Sequence, residues 1–137
     1  MEKITVQIIV NEPVEKVWDS YTNPKHIVKW NQASPDWHSP RAENDLKVGG
    51  RFITRMEAKD GSAGFDFGGV YTEVTPMKSF AYIMDDKRNV TVAFEEMGNS
   101  TSITVTFDPE NENPIEMQRG GWQAILESFK KYTEALS

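Results

Sequence analysis

The chain contains no cysteine, which excludes disulfides, thiolate metal sites and a cysteine nucleophile at once and leaves its 137 residues to be held by packing alone. Histidine is nearly as scarce. His26 and His38 are the only two, and they do not form a pair at helical spacing, so the usual zinc ligand sets are missing. Positive charge is also in short supply: 15 basic residues face 21 acidic ones, for a net charge of −6, and the basic residues are scattered. A nucleic-acid surface or an anionic-membrane surface is therefore not expected. No long apolar run exists either. The stretch from Ile4 to Val10 is interrupted by Thr5 and Gln7 and is too short for a membrane span or a signal-peptide core. The glycine pairs Gly49-Gly50 and Gly68-Gly69 do not match a phosphate loop, and Ser62 and Ser100 sit at turns with no histidine base beside them. These absences predict a soluble, cytoplasmic protein with no cofactor, no metal, no nucleic-acid partner and no membrane insertion, and they give no sign of a catalytic triad or nucleotide site.

What is present is an ordinary globular composition, 38% hydrophobic and 11% aromatic. The length suits a single domain spanning residues 1–137 with a core of its own. The chain opens on strict alternation, with Ile4, Val6, Ile8 and Val10 on one side, which predicts a half-buried strand. Asn11-Glu12-Pro13 then reads as a capping group and a first-turn proline before Val14, Val17, Trp18 and Tyr21 at helical spacing. Thr22-Asn23-Pro24 starts a second short helix in the same way, carrying Ile27 and Trp30. The polar stretch from Asn31 to Leu46 reads as loop with room for one short strand.

Register counts organise the middle of the chain. A turn at Asp60-Gly61 pairs Met56 with Phe65, Thr54 with Phe67 and Phe52 with Gly69, making one face almost wholly apolar. The same count sets Arg55 opposite Asp66 on the other face, a pairing worth ~0.2–1 kcal/mol. A turn at Gly98-Asn99 pairs Phe94 with Ile103, Val92 with Val105 and Val90 with Phe107. Pro76-Met77 is the turn that brings Tyr71 against Tyr82 and Gly69 against Met84. Keeping Tyr82 on the face of Val92 then requires an odd-length loop or a bulge between Asp85 and Arg88.

The chain ends in one amphipathic helix, from Asn113 to Leu136, with Trp122, Ile125, Leu126, Phe129 and Leu136 on its apolar side. Asn113-Pro114-Ile115-Glu116 reads as a capping box. Gly120-Gly121 costs about 1 kcal/mol per glycine relative to alanine, which predicts close approach of the helix backbone to the sheet or to a ligand. A helix of this kind behind a run of hairpins must bury its stripe on a curved antiparallel sheet. The fold class is thus α+β, a curved antiparallel sheet of about six or seven strands around a long C-terminal helix, with two short helices after the first strand.

The motifs VNEPVEKVWDSYTNPKHIVKW, WNQASPDWHSP, DLKVGG, RMEAKDGSAGFDFGGVYTEVTP and RGGWQAILESFKKYTE cover nearly the whole chain. Together they resemble the START-related (SRPBCC) superfamily, and within it bacterial proteins similar to the C-terminal domain of the activator of the heat-shock protein ninety ATPase. The resemblance implies the helix-grip fold with a central cavity for a hydrophobic or amphipathic small molecule, and it implies no single activity. Candidate ligand-binding residues are Trp30, Trp37, His38, Met56, Phe67, Tyr71, Tyr82, Gln118 and Trp122, with Met84 as an adaptable neighbour and Arg88 as a further group able to orient a polar head. His38 is expected at the cavity mouth and His26 on the solvated surface. The alternatives are a cyclase- or dehydratase-like enzyme using the same cavity, and a protein-interaction module that engages a chaperone-type partner through the outer face of the sheet. Oligomeric state is expected to be monomer or weak dimer, the latter through an exposed edge strand.

Overall fold

In the computed structural model, which describes residues 2–136, the sheet has seven antiparallel strands in the order β1-β7-β6-β5-β4-β3-β2. The chain runs β1 (Ile4–Val10), α1 (Val14–Thr22), α2 (Pro24–Trp30), β2 (Trp37–Asn44), β3 (Arg51–Ala58), β4 (Gly64–Thr75), β5 (Ser79–Met84), β6 (Asn89–Met97), β7 (Ser100–Phe107) and α3 (Ile115–Ala135). The sheet curls into a half-barrel and α3 lies in its grip, the helix-grip arrangement expected from the sequence. Among the described residues no helix is long and apolar enough to cross a membrane.

Hairpin registers follow the turn chemistry. Met56 pairs with Phe65, Thr54 with Phe67, Phe52 with Gly69 and Arg55 with Asp66 across β3 and β4. Val92–Val105, Phe94–Ile103 and Val90–Phe107 pair across β6 and β7. Arg55 donates at 2.9 Å to Glu57 on its own strand and only at 3.5 Å to Asp66, so the cross-strand pair is the weaker of its two contacts. Gly68 and Gly69 sit where the neighbouring strands come close to β4: a β-carbon would lie 2.8 Å from the Phe52 carbonyl oxygen at the first and 2.5 Å from the Ile83 carbonyl oxygen at the second.

Three local expectations are corrected. The stretch after α2, expected to be loop with room for one short strand, contains an eight-residue strand, β2, whose length was hidden because it is an edge strand and its alternation breaks where the register shifts between His38 and Arg41. Pro40 lies in that irregular segment, where a missing N–H costs the ladder little. The capping box before α3 does not form. Pro114 holds the N-cap position with no side-chain cap; Asn113 instead donates its backbone N–H and side-chain amide to Glu110 at 2.6 and 3.1 Å, while Glu116 pairs with Arg119. Asn11 likewise leaves α1 uncapped, with Pro13 at its N-cap and the Asn11 backbone N–H donated to Glu134. Only α2 is capped as expected, by Asn23 accepting from the Lys25 N–H at 3.0 Å, with Pro24 in its first turn.

The third correction concerns Gly120-Gly121: a β-carbon at either position meets nothing within 4 Å, so no close approach accounts for the pair. The reason is how α3 lies. It runs along the outer edge of β1, where Gln123 and Lys130 donate to the Gln7 and Ile9 carbonyls at 3.1 and 2.6 Å and cover that edge against pairing with another strand. Contact with the core begins only at Trp122, which stacks on Phe107 at 4.0 Å. Farther along, Phe129 is fully buried and meets Trp30 and Tyr21 edge-on, at 4.9 and 5.0 Å, locking α3 to both short helices.

Candidate functional site

Between the concave face of the sheet and α3 lies a cavity of about 400 Å³. Strand alternation supplies most of its wall. Phe52, Thr54 and Met56 face inward from β3, Phe67 and Tyr71 from β4, and Phe80, Tyr82 and Met84 from β5. Tyr21 and Trp30 close it from α1 and α2, and Trp122, Ile125 and Leu126 from α3. The rings interlock edge-on: Phe52 lies 4.7 Å from Tyr82, and Phe67 lies 6.2 Å from Trp122.

Of the residues singled out in the sequence, Trp30, Met56, Phe67, Tyr71, Tyr82 and Trp122 lie together on this wall, as do Met84 and Arg88. Three do not. Trp37 pairs with Ala58 at the start of β2 and rests on Phe65, beyond the cavity. His38 faces the outer side of the sheet opposite Glu57, 3.9 Å away, because its register partner is an outward residue. Gln118 is buried but turned toward the loop before α3, where its amide bonds the Glu110 N–H, the Glu110 carbonyl and the Asn113 carbonyl. These bonds clamp the preceding loop to the start of α3 without capping it, since none reaches a free N–H of the first turn. His26, expected on the surface, is largely covered: its Nδ1 is 2.6 Å from the Tyr132 hydroxyl and its Nε2 is 3.5 Å from Asp19, tying α1, α2 and α3 at one point.

Three uncharged polar members of the wall, Tyr21, Asn31 and Thr54, are not among the sequence-derived site residues. Asn31, the residue after α2, is 7% exposed and Thr54 is 3% exposed, and both line the cavity. Thr54 left a signal, since the register count made it the one polar residue between Phe52 and Met56 on an apolar face. Asn31 left none, because a helix end has no periodicity.

The polar chemistry of the interior is uncharged. Burial pushes the phenols of Tyr21, Tyr71 and Tyr82 well above the usual tyrosine range, reinforced at Tyr21 by Tyr71 and at Tyr82 by Tyr21 and Tyr71. They stay protonated and can donate. Tyr71 is held in place by donating to Asn44 at 2.6 Å, and Asn44 in turn donates to the Thr22 carbonyl at 2.6 Å. Charged groups belong to the rim, where Phe65, 48% exposed, and Asp66, Asp85, Asp86 and Arg88 meet solvent. Arg88 is engaged by Asp86 at 2.8 Å, and Arg51 grips Asp85 with two parallel bonds of 2.9 and 2.8 Å, which lowers the Asp85 carboxyl below its usual range. Among the described residues no three His, Cys, Asp or Glu side chains converge to hold a metal ion. The arrangement offers shape, dispersion contacts and neutral hydrogen bonds.

The family model described as Activator of Hsp90 ATPase homolog 1-like protein matches residues 11–134. Among solved structures, an AHSA1-like protein from Aeromonas hydrophila is 44% identical, with 97% of this chain and 92% of that one covered at a TM-score of 0.91. A protein from Cytophaga hutchinsonii is 54% identical over 97% of this chain and 92% of that one, with a TM-score of 0.84. A protein from Chromobacterium violaceum, 21% identical over 98% and 99% of the two chains, shares the fold at a TM-score of 0.83. No curated protein matches the chain.

Proposed function

We propose a binding role for this chain, which belongs to the family of activator of Hsp90 ATPase homolog 1-like proteins: residues 1–137 act as one cytoplasmic domain that encloses a hydrophobic or amphipathic small molecule between sheet and α3. The observation that carries this reading is the cavity itself. Its volume of about 400 Å³ falls in the range of small-molecule sites, roughly 300–1,000 Å³. A domain that needed only to fold would gain by filling that space, since unfilled volume costs about 24 cal/mol per Å³ in engineered cores. Here the surrounding rings are large, rigid and mutually packed, yet leave the space between them open. Trp30, Met56, Phe67, Tyr71, Tyr82 and Trp122 supply the contacts.

Native mass spectrometry of the purified protein tests this. The expected result is the chain mass plus a small adduct that is lost on denaturation and identifiable after extraction. A bare mass in every preparation, together with Met56 and Met84 methyl resonances that do not move when decanol is added, overturns it.

A further inference from the structure

The polar atoms inside the cavity are largely without protein partners. Asn31, Thr54 and Tyr82 are each more than nine-tenths buried, at 7%, 3% and 6% exposure. Among the described residues, neither the Asn31 side-chain amide, nor the Thr54 hydroxyl, nor the Tyr82 hydroxyl makes a hydrogen bond to another protein group, and the same is true of the Tyr21 hydroxyl; Asn31 is bonded only through its backbone, to Ile27 and Ser39. The buried side-chain atoms that are both partnerless and wholly sealed are Ser20 Oγ and Thr133 Oγ1. The polar atoms of Asn31, Thr54, Tyr21 and Tyr82 are not sealed, and the open space these residues line is the cavity. Polar groups this deep with no protein partner take their hydrogen bonds from whatever occupies the space they face, so several facing one space mark a place where hydrogen-bonding matter belongs.

The set also has a chemical character. The phenols donate, and Asn31 and Thr54 both donate and accept. None is charged, and burial holds the tyrosines in their neutral form. Among the described residues the one cation on the wall, Arg88, acts on the Tyr82 phenol, but its Nε is bound by Asp86, whose carboxylate balances its charge. A carboxylate, phosphate or ammonium drawn inside would lose its hydration with only charges that are already paired at the rim to replace it, whereas an alcohol or amide would be matched by the neutral groups. Around this set the wall is aromatic and thioether.

We propose that the cavity takes an uncharged amphipathic molecule, of the alcohol, amide or ester class, whose polar head hydrogen-bonds to Asn31, Thr54 and the Tyr21 and Tyr82 hydroxyls and whose apolar body lies against Met56, Phe67 and Trp122. This rests on the binding role proposed above and goes beyond it by selecting the head group. It separates this site from one built for fatty acids or phospholipid head groups.

The test is a titration of the full chain, followed by NMR, with four probes of one chain length: decanol, decanamide, decanoate and decyltrimethylammonium. Decanol and decanamide are expected to bind at least about tenfold more tightly than either charged probe, with shifts centred on the Asn31 side-chain amide and the Met56 methyl. Tyr82→Phe and Thr54→Val, which remove a hydroxyl with little change of shape, are expected to weaken decanamide about three- to tenfold each and to leave the weak decanoate binding unchanged. Asn31→Leu serves as a third variant if its thermal melt remains cooperative. Decanoate or decyltrimethylammonium binding as tightly as decanol overturns the choice of head group and leaves the binding role standing. Equal affinity of wild type and all hydroxyl-deletion variants for decanamide also overturns it, reducing the polar set to a hydrated wall. If no probe moves any cavity resonance, both proposals fall.

Discussion

Gly120 and Gly121 occupy the sixth and seventh positions of a 21-residue helix, where glycine has no local advantage. Neither is among the positive-φ glycines, which are Gly49, Gly61 and Gly98, and a β-carbon at either position meets no atom within 4 Å. Replacement by alanine therefore adds no clash and removes backbone freedom from the unfolded chain. Gly120→Ala is expected to stabilise the protein by about 1 kcal/mol, and Gly121→Ala by the same amount. The two β-carbons project about 100° apart around the helix and share no partner, so the double variant is expected to gain roughly 2 kcal/mol. For a chain of this size that corresponds to a rise in melting temperature of about 3 °C per substitution. Urea unfolding followed by circular dichroism measures it directly: the midpoint rises while the slope stays constant. A loss of stability in either single variant would refute the reasoning, since it would mean that α3 approaches a neighbour more closely, or bends more, than its backbone shows. Decanamide affinity measured in the same variants separates folding from function. An unchanged affinity is expected, because neither glycine lines the cavity.

Thr133 is fully buried with an orphaned hydroxyl, so the isosteric Thr133→Val removes an unmet desolvation cost and is expected to stabilise by about 1 kcal/mol in the same urea assay. The bond between His26 and Tyr132 joins α2 to α3 at 2.6 Å; His26→Ala and Tyr132→Phe are each expected to cost about 0.5–1.5 kcal/mol, and a double-mutant cycle is expected to show that the two losses do not add. Asp108 accepts from Lys3 and from the backbone and side chain of Asn89, which lowers its pKa from 3.8 to about 2. A folded-state pKa below the unfolded one gives stability that is complete above about pH 4 and is lost as pH falls through 2, and NMR titration is expected to show the Asp108 carboxyl moving back toward 3.8 in Lys3→Met.

The sheet was legible because its turns anchor its registers. Asp60-Gly61 and Gly98-Asn99 place every pair across β3–β4 and β6–β7 once the turn is fixed. The β4–β5 hairpin shows where such counting stops. Tyr71 does face Tyr82, but not through a two-residue turn at Pro76-Met77. Thr75 pairs with Ser79 around a three-residue loop in which Met77 takes a left-handed φ of 65°, and a bulge between Tyr71 and Glu73 absorbs the extra residue. Two shifts of opposite sense cancel at the tyrosines, and the bulge turns Val74 back toward the core opposite Phe80. The start of α3 illustrates a different limit. Capping rules weigh only the residues at the helix end, whereas here Glu110, from the preceding loop, competes successfully for Asn113, and Gln118 reaches back to secure the same loop. Sequence spacing alone does not show which of several nearby carboxylates wins.

The cavity divides along the same line. Alternation states which face a strand residue takes, so the spacing of Met56, Phe67, Tyr71 and Tyr82 is enough to place them on one wall. It does not state how far along the strand the cavity extends. Trp37 fails for that reason: it lies level with Ala58 at the closed end of the β3–β4 hairpin, beyond the open space. His38 fails for another, since the irregularity in β2 puts it opposite Glu57 and thus outside. Polar satisfaction is less legible still, because it depends on which groups are within reach in three dimensions. Tyr71 and Tyr82 look alike in sequence, yet Asn44 engages the first hydroxyl and, among the described residues, nothing engages the second. The groups left for a ligand therefore come from a helix end at Asn31, a strand centre at Thr54 and a cross-strand ring at Tyr82, which no motif links. If head-group selectivity resides in that set, relatives with the same aromatic wall but different residues at the positions of Asn31 and Thr54 should bind different heads. Exchanging those two side chains between two such proteins should transfer the preference without moving the fold.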